Sequence, residues 1–279
     1  MVEHSRLGTL YIVATPIGNM ADITQRALQV LKTVPLVAAE DTRHTRRLWG
    51  RHDIETQLVS YHARSDSSRR EELLAHLAAG NDLALVTDAG TPVVSDPGGL
   101  LVAAWTARGG RVLPIPGPSA VLAALVVSGL PVARFGFEGF LPRRGAERRQ
   151  RIERVCADDR ATVLFEAPGR AAATLADLAA ACGSDRKASL SRELTKLHEE
   201  TWRGTLGELA ARAGETAPRG EITIVLAGAD ADIAQPASIG LDAGRAEVDR
   251  LVGKGMSRSS AAREVAQRTG LPRRDLFPP

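Results

Sequence analysis

Cysteine is nearly absent. Only Cys156 and Cys182 occur among 279 residues, and they match no C-x-x-C spacing. Neither a zinc site nor a disulfide framework is expected from them, and a reducing cytoplasm is the natural compartment. Aromatic residues make up 4% of the chain, so base stacking is not a dominant theme. No apolar run approaches the roughly 20 residues that a membrane span needs. The first residues carry Glu3 and His4, where a signal peptide would start with positive charge. There is no G-x-x-x-x-G-K-[ST], which disfavours a P-loop, and no G-x-G-x-x-G after the first apolar run, which disfavours a dinucleotide site. No cluster of metal-ligating residues appears.

What is present is an ordinary globular composition, 44% hydrophobic and 25% charged. The length fits two globular domains and a tail, each half being long enough to bury a core. Net charge is only +3 but is unevenly spread. Four arginines and no acid fall between Arg43 and Arg51, and seven arginines between Arg134 and Arg154 face only Glu138, Glu147 and Glu153. Such local excess suits a polyanion, and equally suits a solvated arginine-rich surface.

Apolar runs and amphipathic stretches alternate. Strands are expected at 10–14, 36–39, 58–61, 83–87 and 112–115. Helices are expected from the Asp22/Gln25 capping-box spacing to Pro35, and at 69–79, 100–108 and 120–127. This alternation predicts an α/β domain with a largely parallel sheet. After a junction near Gly129 and Pro131, a second α/β unit is read from strands at 162–166, 188–192 and 221–227 and helices at 170–181 and 206–213. Phe135, Phe137 and Phe140 are expected in the core, on one face of a strand. Residues 230–240 read as a linker. Two tail helices, at 243–252 and from Ser257 to before Gly270, resemble a helix-turn-helix, although a helical hairpin packed on the body fits as well. The domain boundaries are 6–119, 120–230 and 231–279.

Three loops that follow strands combine glycine with proline: Thr15–Asn19, Asp88–Gly99 and Pro116–Ala120. Proline fixes the turn and glycine lets backbone approach a ligand. At one edge of a parallel sheet they would line a pocket with main-chain groups. With Ala39-Glu-Asp-Thr-Arg-His-Thr-Arg46, these loops closely resemble the tetrapyrrole-methylase superfamily and, within it, the ribosomal RNA branch. Glu138-Gly-Phe-Leu-Pro-Arg143, Phe165-Glu-Ala-Pro168, Arg192-Glu-Leu-Thr-Lys196 and Arg219-Gly-Glu-Ile-Thr-Ile224 extend the likeness over residues 6 to about 228, and more loosely over the tail. The branch commonly has histidine after Phe-Glu-Ala-Pro, where this chain has Gly169.

The resemblance implies two α/β domains of the tetrapyrrole-methylase type, with S-adenosylmethionine in the cleft between them, S-adenosylhomocysteine as product, and a small helical tail. It also implies a homodimer. The reaction implied is 2′-O-methylation of a cytidine in the decoding region of 16S ribosomal RNA, with the small subunit as partner. Donor contacts would come from Ile17, Gly18, Asp88, Ala89, Gly90, Thr91, Val94, Ser119 and Ala120, and in the second domain from near Glu166, Leu194 and Glu221, many through backbone. Glu166 and Lys196 would face the cleft, as donor contacts or in domain closure. Asp41 and Glu40 are the first candidates for the proton acceptor, with a purely structural pairing to Arg43 and Arg46 as the rival reading. Arg43, Arg46, Arg47, Arg143, Arg144, Arg148 and Arg149 are candidates for phosphate contact. A tetrapyrrole methyltransferase and a non-catalytic RNA-binding assembly factor remain as alternative functions.

Overall fold

The computed structural model describes residues 7–63, 65, 67–229, 241–269 and 271–276. The expected linker at 230–240 lies outside them. The chain opens with β1 (Thr9–Val13), α1 (Gln25–Thr33), β2 (Leu36–Ala39), α2 (Thr42–His52), β3 (Gln57–Ser60), α3 (Ser67–Ala78), β4 (Leu83–Val86), α4 (Gly99–Ala107) and β5 (Arg111–Ile115). These strands form one sheet, ordered β3-β2-β4-β1-β5, in which every neighbouring pair is parallel. Leu83, Ala84, Leu85 and Val86 are all buried, as expected of a strand covered on both faces. Pro114 cannot donate to a ladder and sits on the edge strand, β5. One core, including Leu31, Val37 and Trp49, lies on one face, and another, including Leu74, Leu101 and Trp105, on the other.

Helix α5 (Ala120–Val127) follows β5 and leads into the second sheet. That sheet contains β6 (Phe135–Phe140), β7 (Ala161–Glu166), β8 (Lys187–Arg192), β9 (Glu200–Thr205) and β10 (Ile222–Leu226), ordered β6-β7-β10-β8-β9. Only β6 and β7 run parallel; the other pairs are antiparallel. Helices α6 (Ala146–Ala157), α7 (Ala171–Cys182) and α8 (Leu206–Glu215) bury a core against one face. On the other face Val121, Ala124 and Leu125 of α5 meet Val163 and Val225. The tail helices α9 (Leu241–Gly253), α10 (Arg258–Thr269) and α11 (Arg273–Leu276) close a separate small core around Val248, Val265 and Leu276.

Several expectations need correction. Asp22 does not cap α1. It lies in a 3-10 turn, and Thr24 is the cap, its hydroxyl accepting from Ala27 N at 3.1 Å. Helices α2 and α6 and strand β9 went unread. Arginine-rich α2 turns only Thr45, Leu48 and Trp49 inward, and α6 hides a buried arginine among its apolar positions, so neither shows a full apolar stripe. A bulge between Phe137 and Gly139 keeps Phe140 on the face of Phe135 and Phe137, with its ring 5.6 Å from that of Phe165. Strand β6 is nevertheless an edge strand, and Phe135 and Phe140 are 40% and 51% exposed, not core.

The cysteines form a disulfide, contrary to expectation. Cys156 and Cys182 end α6 and α7, which pack side by side, and their Cα atoms are 4.8 Å apart. A partnership across 26 residues leaves no local spacing signal. Closing that loop restricts the unfolded chain by about 3 kcal/mol. Reduction, or Cys156→Ser, should lower the stability of the second lobe by up to that amount in denaturant titration. Equal midpoints with and without reductant would show that the bond contributes nothing.

Candidate active site

The expected loops do meet at the carboxyl edge of the first sheet. Thr15 and Gly90 exchange main-chain hydrogen bonds, Thr15 N to Gly90 O at 2.9 Å and Gly90 N to Thr15 O at 3.1 Å. The Thr15 hydroxyl also donates to Thr87 O at 3.1 Å, and the Thr91 hydroxyl to Pro118 O at 3.4 Å. Gly90 has φ +82°, and a Cβ there would stand 3.4 Å from Ile17 Cγ2. Main chain from the first loop therefore lies directly against the second, which in turn touches the third. Ser119 caps α5 by accepting from Leu122 N, so Ala120 opens a helix whose free amides face this edge.

The second lobe completes the rim. Ile17 and Leu194 are buried together with α5 in the seam between the sheets. Asn19 N donates to Thr195 Oγ1 at 3.1 Å, and a Cβ at Gly139 of the β6 bulge would fall 2.8 Å from Ser95 Oγ. Backbone strain collects here: Val93, Ser95, Glu193 and Thr195 have φ of +77°, +65°, +51° and +66°. Left-handed non-glycine residues are costly and persist only where their surroundings fix them. Four of the five among the described residues stand on two loops, one in each lobe, that touch the opposite lobe at Gly139 and Asn19.

The acidic candidates differ sharply. Asp41 caps α2, accepting from Arg43 N at 2.8 Å, and forms a two-pronged pair with the Arg43 guanidinium at 3.1 and 2.8 Å. That guanidinium, then the Arg43 amide, hold the carboxyl far below the usual carboxylate range. Glu40 accepts from the Thr87 hydroxyl at 2.7 Å. Asp88 accepts from Asp41 N at 3.1 Å, and burial pushes its carboxyl up, helped by Glu40 and opposed by the Asp41 amide. Asp96, which sequence reasoning passed over within the Asp88–Gly99 loop, is pushed up to about 6, by burial first and by Glu40 and Asp88 after it, against a hydrogen bond with Thr87. It directly follows the left-handed Ser95 and comes near Thr87 only in the fold, so no pattern in the sequence marks it. A small cavity of about 20 Å³ bordered by Thr15, His44, Thr87 and Asp88 opens beside these acids. A wider depression at Arg134, Asp158, Asp159 and Arg160 lies at the starts of β6 and β7, where the arginines are already paired with the aspartates.

In the second lobe Glu166 does not face the cleft with its carboxylate. It is buried, accepting from Thr174 Oγ1 at 2.6 Å and Ala167 N at 2.8 Å, and pairing with Arg170 at 3.4 Å. Glu221 reaches Lys196 at 3.1 Å. Val94 is 42% exposed, while Asp88 and Ala89 are half-buried. Among the arginines, Arg148 must be withdrawn as a phosphate contact. It is 8% exposed, and its guanidinium is used by Asp177, Thr174 and Pro142 O. The Thr174 hydroxyl that donates to Glu166 accepts from Arg148 in turn. Arg43 is committed to Asp41. Arg46, Arg47, Arg143, Arg144 and Arg149 are exposed and carry no ion pair among the described residues.

Comparison with known proteins agrees with this geometry. Residues 9–210 match the family model of Tetrapyrrole (Corrin/Porphyrin) Methylases. A protein of Synechocystis sp. named "Ribosomal RNA small subunit methyltransferase I" is 47% identical, over 97% of this chain and 96% of its own. One of the same name from Pseudomonas aeruginosa is 43% identical, over 97% and 95%. Among solved structures, diphthine synthase superposes with TM-score 0.62 at 18% identity, over 79% of this chain and 90% of that one. Uroporphyrin-III C-methyl transferase from Thermus thermophilus, complexed with S-adenyl homocysteine, gives 0.55 at 20%, over 80% and 98%. The convergent glycine-proline loops, the two sheets and the matched stretch point the same way: the chain belongs to the tetrapyrrole methylase family.

Proposed function

We propose that this protein transfers a methyl group from S-adenosylmethionine to the 2′-hydroxyl of a cytidine ribose in the decoding region of 16S ribosomal RNA. The observation that carries the reading is the near-complete match to relatives named as small-subunit ribosomal RNA methyltransferases, combined with an intact cleft of three main-chain loops. A tetrapyrrole acceptor fits the fold equally, but the exposed, unpaired arginines on α2 and at the start of α6 favour a polyanion. We take residues 6–119 and 120–230 as the two lobes that share the donor, and 231–279 as linker and tail. The donor fits the loops chemically. Gly90 is buried against Ile17 with its amide and carbonyl taken by Thr15, so the main-chain groups that would suit an adenosine and an amino-acid moiety are those of the adjoining residues of the three loops. Ile17, Gly18, Ala89, Gly90, Thr91, Val94, Ser119, Ala120, Leu194 and Glu221 are its proposed contacts. Acting on ribosomal RNA, the protein would work in the cytoplasm. Among the described residues no helix is long and apolar enough to cross a membrane.

The donor supplies a methyl already activated on a sulfonium. What remains for the protein is to hold the acceptor oxygen in line and to accept its proton. A carboxylate held as low as Asp41 is a weak base, and its cap and ion pair already explain it. Asp96, with Glu40 across the Thr87 hydroxyl, is closer to neutrality and is the acceptor we assign. Arg46, Arg47, Arg143, Arg144 and Arg149 would hold phosphates and set position, not sequence. A second copy of the chain would cover Leu100 of α4 and Leu122 and Val126 of α5, which are 69%, 54% and 78% exposed.

Labelled S-adenosylmethionine and small subunits from cells lacking the endogenous enzyme should give label on a ribose 2′-oxygen. Donor binding without such transfer would bring the tetrapyrrole reading forward. Arg143→Ala with Arg144→Ala should raise KM for subunits several-fold and flatten its salt dependence, and an unchanged salt slope would remove these residues from the interface. Below about pH 6 Asp96 is protonated, so transfer should fall as the pH drops through that value. Its ionisation in the folded protein is unfavourable, a destabilisation that is complete above the raised value and absent below the ordinary carboxylate range. Asp96→Asn should therefore melt higher than wild type at pH 7, converge with it near pH 4, and lose transfer. Full activity in that variant would return the assignment to Glu40 or Asp41. Light scattering should give a dimer, and Leu122→Lys with Val126→Lys a monomer; a monomeric wild type would sink the second-copy assignment.

A further inference from the structure

The strained segment Glu193–Lys196 leaves β8 and crosses to the other lobe. Three features make it a fixed piece and not a free loop. Glu193 and Glu221 exchange main-chain and side-chain contacts, Glu193 N to Glu221 O and Glu221 N to Glu193 Oε1, both at 2.9 Å. Thr195 N donates to Glu199 Oε2 at 2.5 Å. Lys196 Nζ sits between Glu193 Oε1 at 3.0 Å and Glu221 Oε2 at 3.1 Å. Burial draws the lysine down, but the two glutamates outweigh it and leave it raised, while the Glu221 amide and then Lys196 lower Glu193. The pair is thus charged at neutral pH, and the left-handed conformations at Glu193 and Thr195 are held by bonds on both sides.

The other end of the same lysine serves the first lobe. Its aliphatic stem lies over Gly18, where an added Cβ would be 2.4 Å from Lys196 Cγ and 2.9 Å from Thr195 Oγ1. Thr195 receives the Asn19 amide, and Leu194 is buried against Ile17. The ammonium is therefore anchored in one lobe and the stem is pressed on the main chain of the other, at the loop that leaves β1. Glycine at position 18 is what admits the stem.

We infer that Lys196 is a positioning residue for the methyl donor: its stem on Gly18 and its ammonium between Glu193 and Glu221 lock the Ile17–Asn19 backbone in the register the donor requires. This rests on the donor reading above but not on the identity of the acceptor. Lysine is suited to both tasks, since a long apolar stem can pack while its charged end is held elsewhere.

The test is a double-mutant cycle read by calorimetry with S-adenosylhomocysteine, which needs no RNA. Lys196→Ala and Gly18→Ala should each weaken binding about tenfold, and in turnover their losses should fall on KM for the donor more than on kcat. Combined, they should lose clearly less than the product of the two single penalties, because removing the stem clears the nearest clash of the new methyl and leaves only Thr195 Oγ1, at 2.9 Å. Lys196→Met keeps the stem and removes the charge, so Gly18→Ala should remain fully damaging beside it. Wild-type affinity in Lys196→Ala, or penalties that multiply to about a hundredfold in the Ala/Ala variant, would overturn the inference. A wild-type protein that binds S-adenosylhomocysteine but leaves RNA unmethylated would refute only the acceptor reading. One that binds none would overturn the donor reading and this inference together.

Discussion

The chain leaving β1 is the constraint on which the cleft depends. Within five residues it bonds to the neighbouring loop through Thr15, buries Ile17 in the seam between the sheets and presents its Asn19 amide to Thr195. Each contact alone is worth little. A hydrogen bond nets about 1 kcal/mol after its water partners are replaced, and Ile17 contributes about 2 kcal/mol by burial. Together they tie two sheets of different construction to one short segment, so the distance between the lobes and the shape of the pocket are set at the same place. The strain at Val93, Ser95, Glu193 and Thr195 is tolerated because that segment and its neighbours leave these residues no relaxed alternative.

The same crowding divides the acids at the sheet edge. Four carboxylates, Glu40, Asp41, Asp88 and Asp96, follow the ends of two adjacent parallel strands or the loop beyond them. Ionising all of them side by side would be unfavourable. The fold responds by giving Asp41 an arginine and a helix terminus, Asp88 an amide and Glu40 a hydroxyl. Burial pushes both Asp88 and Asp96 up, and Asp96, which receives no backbone amide, is displaced furthest toward neutrality. Its chemistry thus follows from what its neighbours take, and no property of the residue type would reveal it.

Legibility in the sequence divided along the same line. The parallel first sheet could be read because its strands are short apolar runs buried on both faces, punctuated by glycine and proline. The three loops could be read for the same reason. Pattern reading failed where a side chain's role is set by a partner distant in sequence. Arg148 reads as one more surface arginine until Asp177 and Thr174 are placed beside it, 29 and 26 residues away. Cys156 finds Cys182 only through the packing of two helices. Phe135 and Phe140 share a face with Phe137 yet stay exposed because β6 lies at the sheet edge, which the row itself does not reveal. Family likeness supplied the donor positions, and for Glu166 the fold assigns the carboxylate to an internal network, leaving only backbone nearby for a ligand.

The basic residues show how affinity and placement separate. Arg46, Arg47, Arg143, Arg144 and Arg149 stand free of ion pairs among the described residues, so each can neutralise a phosphate without first breaking a bond within the protein. Arg43 and Arg148 would have to give up bidentate partners. Removing Arg148 from Asp177 and Thr174 would also leave buried polar groups unpaired, at a cost larger than an exposed phosphate contact returns. An arginine count therefore overstates the electrostatic footprint. What remains lies on α2 and at the start of α6, on segments that each begin at the carboxyl end of a parallel strand, β2 and β6. Because both lobes use that polarity, the free charges flank the side on which the loops converge, and a polyanion drawn to them is brought to the cleft instead of to the far side of the sheets.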